Sequence, residues 1–397
     1  MNNNFNTIVI GLGAMGSASL YQLSKRGIKT LGIDGYNPPH TFGSTHGDTR
    51  ITRQAIGEGE IYTPLSLRSY EIFREIENKS NNKLLEITGG LIISSDSNET
   101  SVVHVKNFFE NTLAAAKKYN IKHNILTAKD IREKFPQFKV ANDEMGYYEY
   151  EAGFLRPELV ITTQLKLAIN CGADIHVNEK LLNFEEKPYG IIVNTDKNSY
   201  IADNLVLTVG PWIPEILSQE YNSLFKVHRQ VLYWFDIADS YDDFSQLPIF
   251  IWQIKGVDNG IYGFPAVNGV TGGFKIASAD YDKIVTPDSV IRDVSSEETS
   301  FMFERKVAPF FPKVKSKCIK SAVCLYTVTP DSGFVIDWLP KYNRVLLCSA
   351  CSGHGFKHST AIGEAIAQLV STEKPTLEIS ALKIDKYLLC KPNIPLQ

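Results

Sequence analysis

Hydrophobic positions change period repeatedly along the chain, and each change marks an element. An apolar run, IVI at residues 8–10, ends in glycine as a buried strand does. The segment SASLYQLSKR that follows has helical spacing and closes at Gly27, which predicts a helix with a glycine cap. TLGID, ending at Asp34, reads as a second strand. Leucines, Tyr70, Ile72 and Phe73 then recur every three or four residues and predict a helix over Tyr62–Asn78. Ile87–Ser94 reads as a strand, Val103–Tyr119 as an amphipathic helix, and Glu149–Leu155 as a turn-rich stretch. Pro157–Cys171 predicts a helix that stops at Gly172, and Ala173–Gly210 a series of short strands including NLVLTVG. From Val227 to Lys275 aromatic and β-branched runs alternate with DNG and VNGV turns, the mark of antiparallel strands. Val345–Ser349 is a last strand, followed by a Gly-rich loop and a helix from about Lys357 to Val370.

Composition narrows the classes. A chain of 397 residues suggests two or three domains with ample core. A net charge of −3, with no basic block and no acidic tail, gives no reason to expect a nucleic-acid partner. The longest apolar runs are strand-length, well below the ~20 residues of a membrane span. The polar start MNNNFNT leads straight into the first strand, so no signal peptide is expected. The six cysteines have no framework spacing. Cys348 and Cys351 form the only CxxC and read as core thiols behind a strand rather than a redox or zinc site. No metal is expected, and a reducing, cytoplasmic setting is.

The first unit carries candidate chemistry. IVIGLGAMG places GxGxxG directly behind a strand and at the mouth of a helix. Gly11 lets the chain turn sharply, Gly13 lets backbone approach a pyrophosphate, and Gly16 lets the helix pack closely on the sheet. The helix N-terminus turns free N–H groups and its positive dipole end toward that negative charge. Asp34 lies 18 residues past Gly16, near the ~20 expected of a carboxylate that holds ribose hydroxyls and disfavours a 2′-phosphate. The unit therefore binds the ADP half of a dinucleotide. It does not separate NAD from FAD.

Nucleotide-domain signals occur at the start, middle and end of the chain, with a β-rich layer between them. That interleaving favours a large FAD-binding fold. The fold class expected is α/β and α+β: a Rossmann-like FAD-binding domain from residues 1–80, 145–215 and 320–397, interleaved with an antiparallel β-sheet substrate domain from 81–144 and 216–319.

Five motifs in order, GLGAMG, PPHTFGSTHGDTRITRQAIGEGEIYTPL, NGIYGFP, AVCLYT and SGHGFKHS, resemble the monomeric sarcosine oxidase and N-methyltryptophan oxidase family. These are amine-oxidising flavoenzymes of the D-amino acid oxidase-like fold, and the resemblance runs from about Thr7 to about Ile379. It implies FAD, attached covalently through a thioether at Cys324 of AVCLYT. It implies a cationic clamp for a substrate carboxylate, Arg53 and Lys357, where Arg offers a bidentate fork and Lys a point charge. Lys275, in GGFKIAS, is similar to the family's lysine over the opposite flavin face, where a buried cation assists the reaction with O2. Tyr262 and Tyr326 match aromatic residues of the substrate pocket, and such rings attract an ammonium. His46 and Arg50 resemble residues beside the flavin ring that assist attachment. Gly353, His354 and Gly355 belong to a loop before a helix N-terminus that would stabilise charge on reduced flavin, His354 orienting the loop.

The chain departs from that family at two places. Ala279 stands where the family has a histidine four residues after the lysine, and two extra residues lie between Pro265 and Lys275. Both touch the substrate pocket and imply a roomier or less polar cavity. The activity expected is that of a monomer oxidising a small secondary N-methyl amino acid with O2. Hydrogen peroxide, formaldehyde and the primary amino acid are the expected products. The alternatives are oxidation of a cyclic imino acid such as proline or pipecolate, an NAD-dependent dehydrogenase, or an inactive flavin-binding protein.

Overall fold

Ile8 and Val9 point to opposite faces of one strand and are both fully buried, the pattern of a parallel sheet covered on each side. That strand, Asn4–Ile10, runs parallel to Thr30–Asp34 on one flank and to Ser199–Leu207 on the other. The structure is a computed structural model that describes residues 4–95, 105–256 and 259–388. Val103, Asp258 of the DNG turn and Cys390 lie outside the described residues. The sheet order is Leu181–Lys187, Gly190–Thr195, Ser199–Leu207, Asn4–Ile10, Thr30–Asp34, Asp174–Val177. Val345–Ser349 joins beside Leu205–Leu207 in parallel, and Val335–Trp338 pairs antiparallel with it. Helix Ala14–Lys25 packs between Pro157–Asn170 and Ser359–Val370. Gly363 lets the last of these approach Ala18 so closely that a Cβ would lie 2.6 Å from its carbonyl carbon.

A second sheet of eight strands runs Cys318–Val328, Lys226–Phe235, Phe274–Ser278, Ile261–Gly263, Ile249–Trp252, Gly90–Ser95, Glu144–Glu149, His123–Thr127. All its pairs are antiparallel except Ile249–Trp252 with Gly90–Ser95, so the antiparallel expectation for 227–275 holds with one parallel seam. Alternation separates the two faces. Tyr233, Phe235, Phe250 and Phe274 enter an aromatic core, while Leu232, Trp234, Ala277 and Cys324 pack together on the opposite side. A small third sheet joins Arg50–Thr52, Gly153–Leu155 and Leu85–Ile87.

Several expected elements differ in detail. Ile87–Ser94 is not one strand: Leu85–Ile87 and Gly90–Ser95 lie in different sheets, turned apart at Gly89 with φ 75°. Glu149–Leu155 is less turn-rich than its composition suggests, since Gly153–Leu155 is the middle strand of the third sheet. The expected boundaries near 145 and 320 fall inside Glu144–Glu149 and Cys318–Val328, both strands of the second sheet. Strand composition is local, whereas the sheet a strand joins depends on partners far away in sequence. The helices at Tyr62–Ser80 and Pro157–Asn170 match closely, whereas the third is shorter than expected: it starts only at Phe108, after Asn107 in a left-handed cap conformation, and ends at Lys118. No helix among the described residues is long and apolar enough to cross a membrane.

Candidate active site

A cavity of ≈ 690 Å³ runs from the Gly11–Gly13 turn to the inner face of the second sheet. Every site residue expected from sequence lines it except Gly16 and His46. Gly11 has φ 87°, and a Cβ there would meet Thr208 O at 2.7 Å. A Cβ on Gly16 would overlap Gly11 O, so this glycine serves helix packing behind the cavity wall. Gly13 differs from both. Its Cβ position is open, with Thr45 Oγ1 the nearest atom at 3.7 Å, and this leaves a cradle into which a pyrophosphate fits. Asp34 accepts from Leu12 N at 2.7 Å through Oδ2 and from Tyr36 N at 2.8 Å through Oδ1. Its carboxylate therefore ties the glycine turn to the next strand as well as facing the cavity.

At the other end four cations come from three segments of the chain, Arg50 and Arg53 from one of them. Arg50 is anchored by Thr49 O at 2.9 Å and Ser44 O at 2.8 Å. Lys275 Nζ donates to Gly47 O (2.6 Å), Thr49 O (2.8 Å) and Thr49 Oγ1 (3.0 Å), and lies 4.4 Å from the Phe264 ring centre. Burial, helped by Arg50, pulls its ammonium well below the usual lysine range. Arg53 is 2% exposed, donates to Ala55 O and pairs with Glu58, and its Nε has no partner. Lys357 Nζ donates to His354 O at 2.6 Å and lies 4.0 Å from Glu58 Oε1. Burial lowers it to about 7, Glu58 pulling up and Arg53 pushing down.

Cys324 and Tyr326 project from one face of Cys318–Val328, and the Tyr326 and Tyr262 hydroxyls are 3.2 Å apart. Burial raises the Cys324 thiol, and Arg50 and Lys275 oppose that shift. Burial also pushes Tyr262 up to about 12, so it is a neutral phenol. The SGHG loop uses φ 80° at Gly353, and a Cβ on Gly355 would overlap Ala350 O. His354 stacks on Phe334 and meets Ser332 O at 3.0 Å, which fits a loop-orienting role. His46 is buried off the cavity wall. Burial, Arg50 and Lys275 lower it to about 3, so its ring is neutral, and Nε2 has no partner.

Three carboxylates of this region were missed from sequence: Glu58, Glu149 and Glu158. Glu58 left only a weak signal, a carboxylate five residues after Arg53. Glu149 and Glu158 hold backbone N–H groups far away in the chain, which no local pattern announces.

A Rossmann-type turn opening into a cavity walled by a β-sheet with buried cations defines a dinucleotide-dependent oxidoreductase. The family model described as FAD dependent oxidoreductase matches residues 6–369, and the chain belongs to that family. The choice that the fingerprint left open thereby falls to FAD. The chain is 36% identical over 376 residues to a monomeric sarcosine oxidase of Streptomyces avermitilis, covering 94% of this chain and 95% of that one. It is 34% identical over 392 residues to an N-methyl-L-tryptophan oxidase of Yersinia pestis, covering 97% and 100%. Among solved structures, NikD, an unusual amino acid oxidase, superposes with a TM-score of 0.80 at 20% identity, covering 96% of this chain and 98% of that chain. L-proline dehydrogenase from P. horikoshii gives 0.79 at 18%, covering 98% and 99%. These two likenesses concern the fold.

Proposed function

We propose that the protein oxidises a secondary, N-methylated amino acid with O2. The net reaction takes amine, O2 and water to the primary amino acid, formaldehyde and hydrogen peroxide. The observation that carries this reading is that Arg53, Lys357, the Tyr262–Tyr326 pair and Cys324 all line one cavity. The names of the sarcosine and N-methyltryptophan oxidases point the same way.

FAD supplies the two-electron acceptor, and Cys324 is its proposed point of thioether attachment. Gly11, Gly13 and Asp34 hold its ADP half. Arg53 and Lys357 bind the substrate carboxylate, because an anion in a buried site needs charged donors. The tyrosine rings line the place of the amine; if the amine binds as the neutral base, its own lone pair drives hydride loss and no protein base is required. Lys275, whose ammonium burial pulls below the usual lysine range, would be drawn to its charged form by the negative charge that arises where O2 is reduced. Arg50 and His46 would support the attachment region, and the N–H groups of Gly353 and Gly355 would stabilise charge on the reduced cofactor, that of His354 being taken by the Cys351 carbonyl.

Ala279 on the cavity wall supports a second reading, a cyclic imino acid such as proline or pipecolate. Assays across N-methyl and cyclic amino acids test both. Equal yields of peroxide and formaldehyde are expected from the first class. Peroxide without formaldehyde, from cyclic substrates only, would replace it with the second.

A further inference from the structure

Segments 47–55 and 149–158 lie antiparallel, but backbone pairing covers only three residues of each: Arg50 with Leu155, Ile51 with Phe154, and Thr52 with Gly153. A ladder this short is weak by itself. Two carboxylates extend it, one beyond each end. Glu158 Oε1 accepts from Gly47 N at 2.6 Å and Asp48 N at 3.2 Å. Glu149, 1% exposed, accepts from Gln54 N at 2.5 Å through Oε1 and from Ala55 N at 3.1 Å through Oε2. The Tyr147 hydroxyl donates a third bond to Glu149 at 2.9 Å.

Each grip falls beside a different cation. Ala55, held by Glu149, turns its carbonyl to Arg53 Nη1 at 2.5 Å. Gly47, held by Glu158, turns its carbonyl to Lys275 Nζ at 2.6 Å. The turn at Gly47 and Asp48 has φ of 101° and 70°, and the non-glycine value is a costly one that surrounding contacts must maintain. Hydrogen bonds from paired N–H groups to a carboxylate are the charge-assisted kind and supply that restraint.

We propose that Glu149 and Glu158 are positioning residues with separate tasks: Glu149 sets Arg53 for the substrate carboxylate, and Glu158 sets the carbonyls that hold Lys275 for the reaction with O2. The assignment rests on the functional reading above. It also makes the two halves of the catalytic cycle separable by substitution at residues that touch neither substrate nor cofactor.

The test compares Glu149→Gln and Glu158→Gln with the wild-type holoenzyme. A lost charge-assisted bond predicts a rise in KM of about ten-fold for Glu149→Gln, with kcat and reoxidation by O2 within about two-fold. For Glu158→Gln the expected result is the reverse, reoxidation slowed about ten-fold with KM for the amine within about two-fold. Amide hydrogen exchange gives a readout independent of turnover. Protection is lost at residues 54–55 in the first variant only and at 47–48 in the second only. If Glu149→Gln does not fold, Tyr147→Phe weakens the same grip and gives a smaller KM shift in the same direction. Unchanged exchange, or kinetic losses of the same kind in both variants, overturns the proposal. A wild-type enzyme that turns over no N-methyl or cyclic amino acid would instead remove the functional reading, while the exchange pattern would still decide whether each carboxylate holds its own turn.

Discussion

Arg53 and Glu58 form an ion pair in the cavity wall, Nη2 to Oε2 2.5 Å, with side chains 2% and 3% exposed. The pair commits much of the guanidinium before a substrate arrives, and Lys357 stands 4.0 Å from the other carboxylate oxygen. Removing one partner of a buried pair costs about 3–5 kcal/mol, because the other charge stays behind. Arg53→Met is therefore expected to lower Tm measurably and to raise KM at least about a hundred-fold. A variant with both quantities unchanged would show that Arg53 neither holds substrate nor neutralises Glu58.

Lys357 gives a pH dependence. Burial lowers its ammonium to about 7, so above that pH the unliganded site holds a neutral amine. A bound carboxylate favours the charged form and draws a proton in. Acetate, which has no amine to titrate, is expected to bind progressively more weakly as pH rises through about 7, with proton uptake on binding. Calorimetry in buffers of different ionisation enthalpy measures both. Lys357→Met should abolish the dependence, and a flat wild-type profile would contradict the role.

Cys324 lies buried between opposing influences, burial raising its thiol and two cations lowering it. If it carries the flavin, acid-precipitated and washed wild-type protein stays yellow. Cys324→Ala gives a colourless pellet and a yellow supernatant. A colourless wild-type pellet would mean that FAD is held without a covalent bond.

Ala279→His returns an imidazole to the cavity wall. Bulky and cyclic substrates should lose about ten-fold or more in kcat/KM, while the smallest N-methyl amino acid is spared. Equal losses for all substrates would mean that this wall does not select the side chain.

The nucleotide half was legible because its information is local. A strand, three glycines, a helix and Asp34 occupy one continuous stretch, and the turn follows that reading closely. The cations were legible through motifs, since Arg53, Lys275 and Lys357 each sit in a short recognisable string. What holds them was not. Glu58 pairs at a spacing that matches no helical or strand pattern, and Glu149 and Glu158 bind N–H groups 94 to 111 positions away. His46 was expected beside the ring from its place in STHGDTR; it is buried within the influence of Arg50 and Lys275 but does not line the cavity itself. A motif gives residue identity, whereas orientation depends on packing from elsewhere in the fold.

The most direct measurement is the visible spectrum of the purified enzyme under anaerobic conditions, before and after an N-methyl amino acid is added, then after admission of air. The flavin absorbance should bleach on addition and return with air as peroxide forms. A spectrum unchanged by every secondary amino acid tried, or a protein without flavin absorbance, would contradict the account.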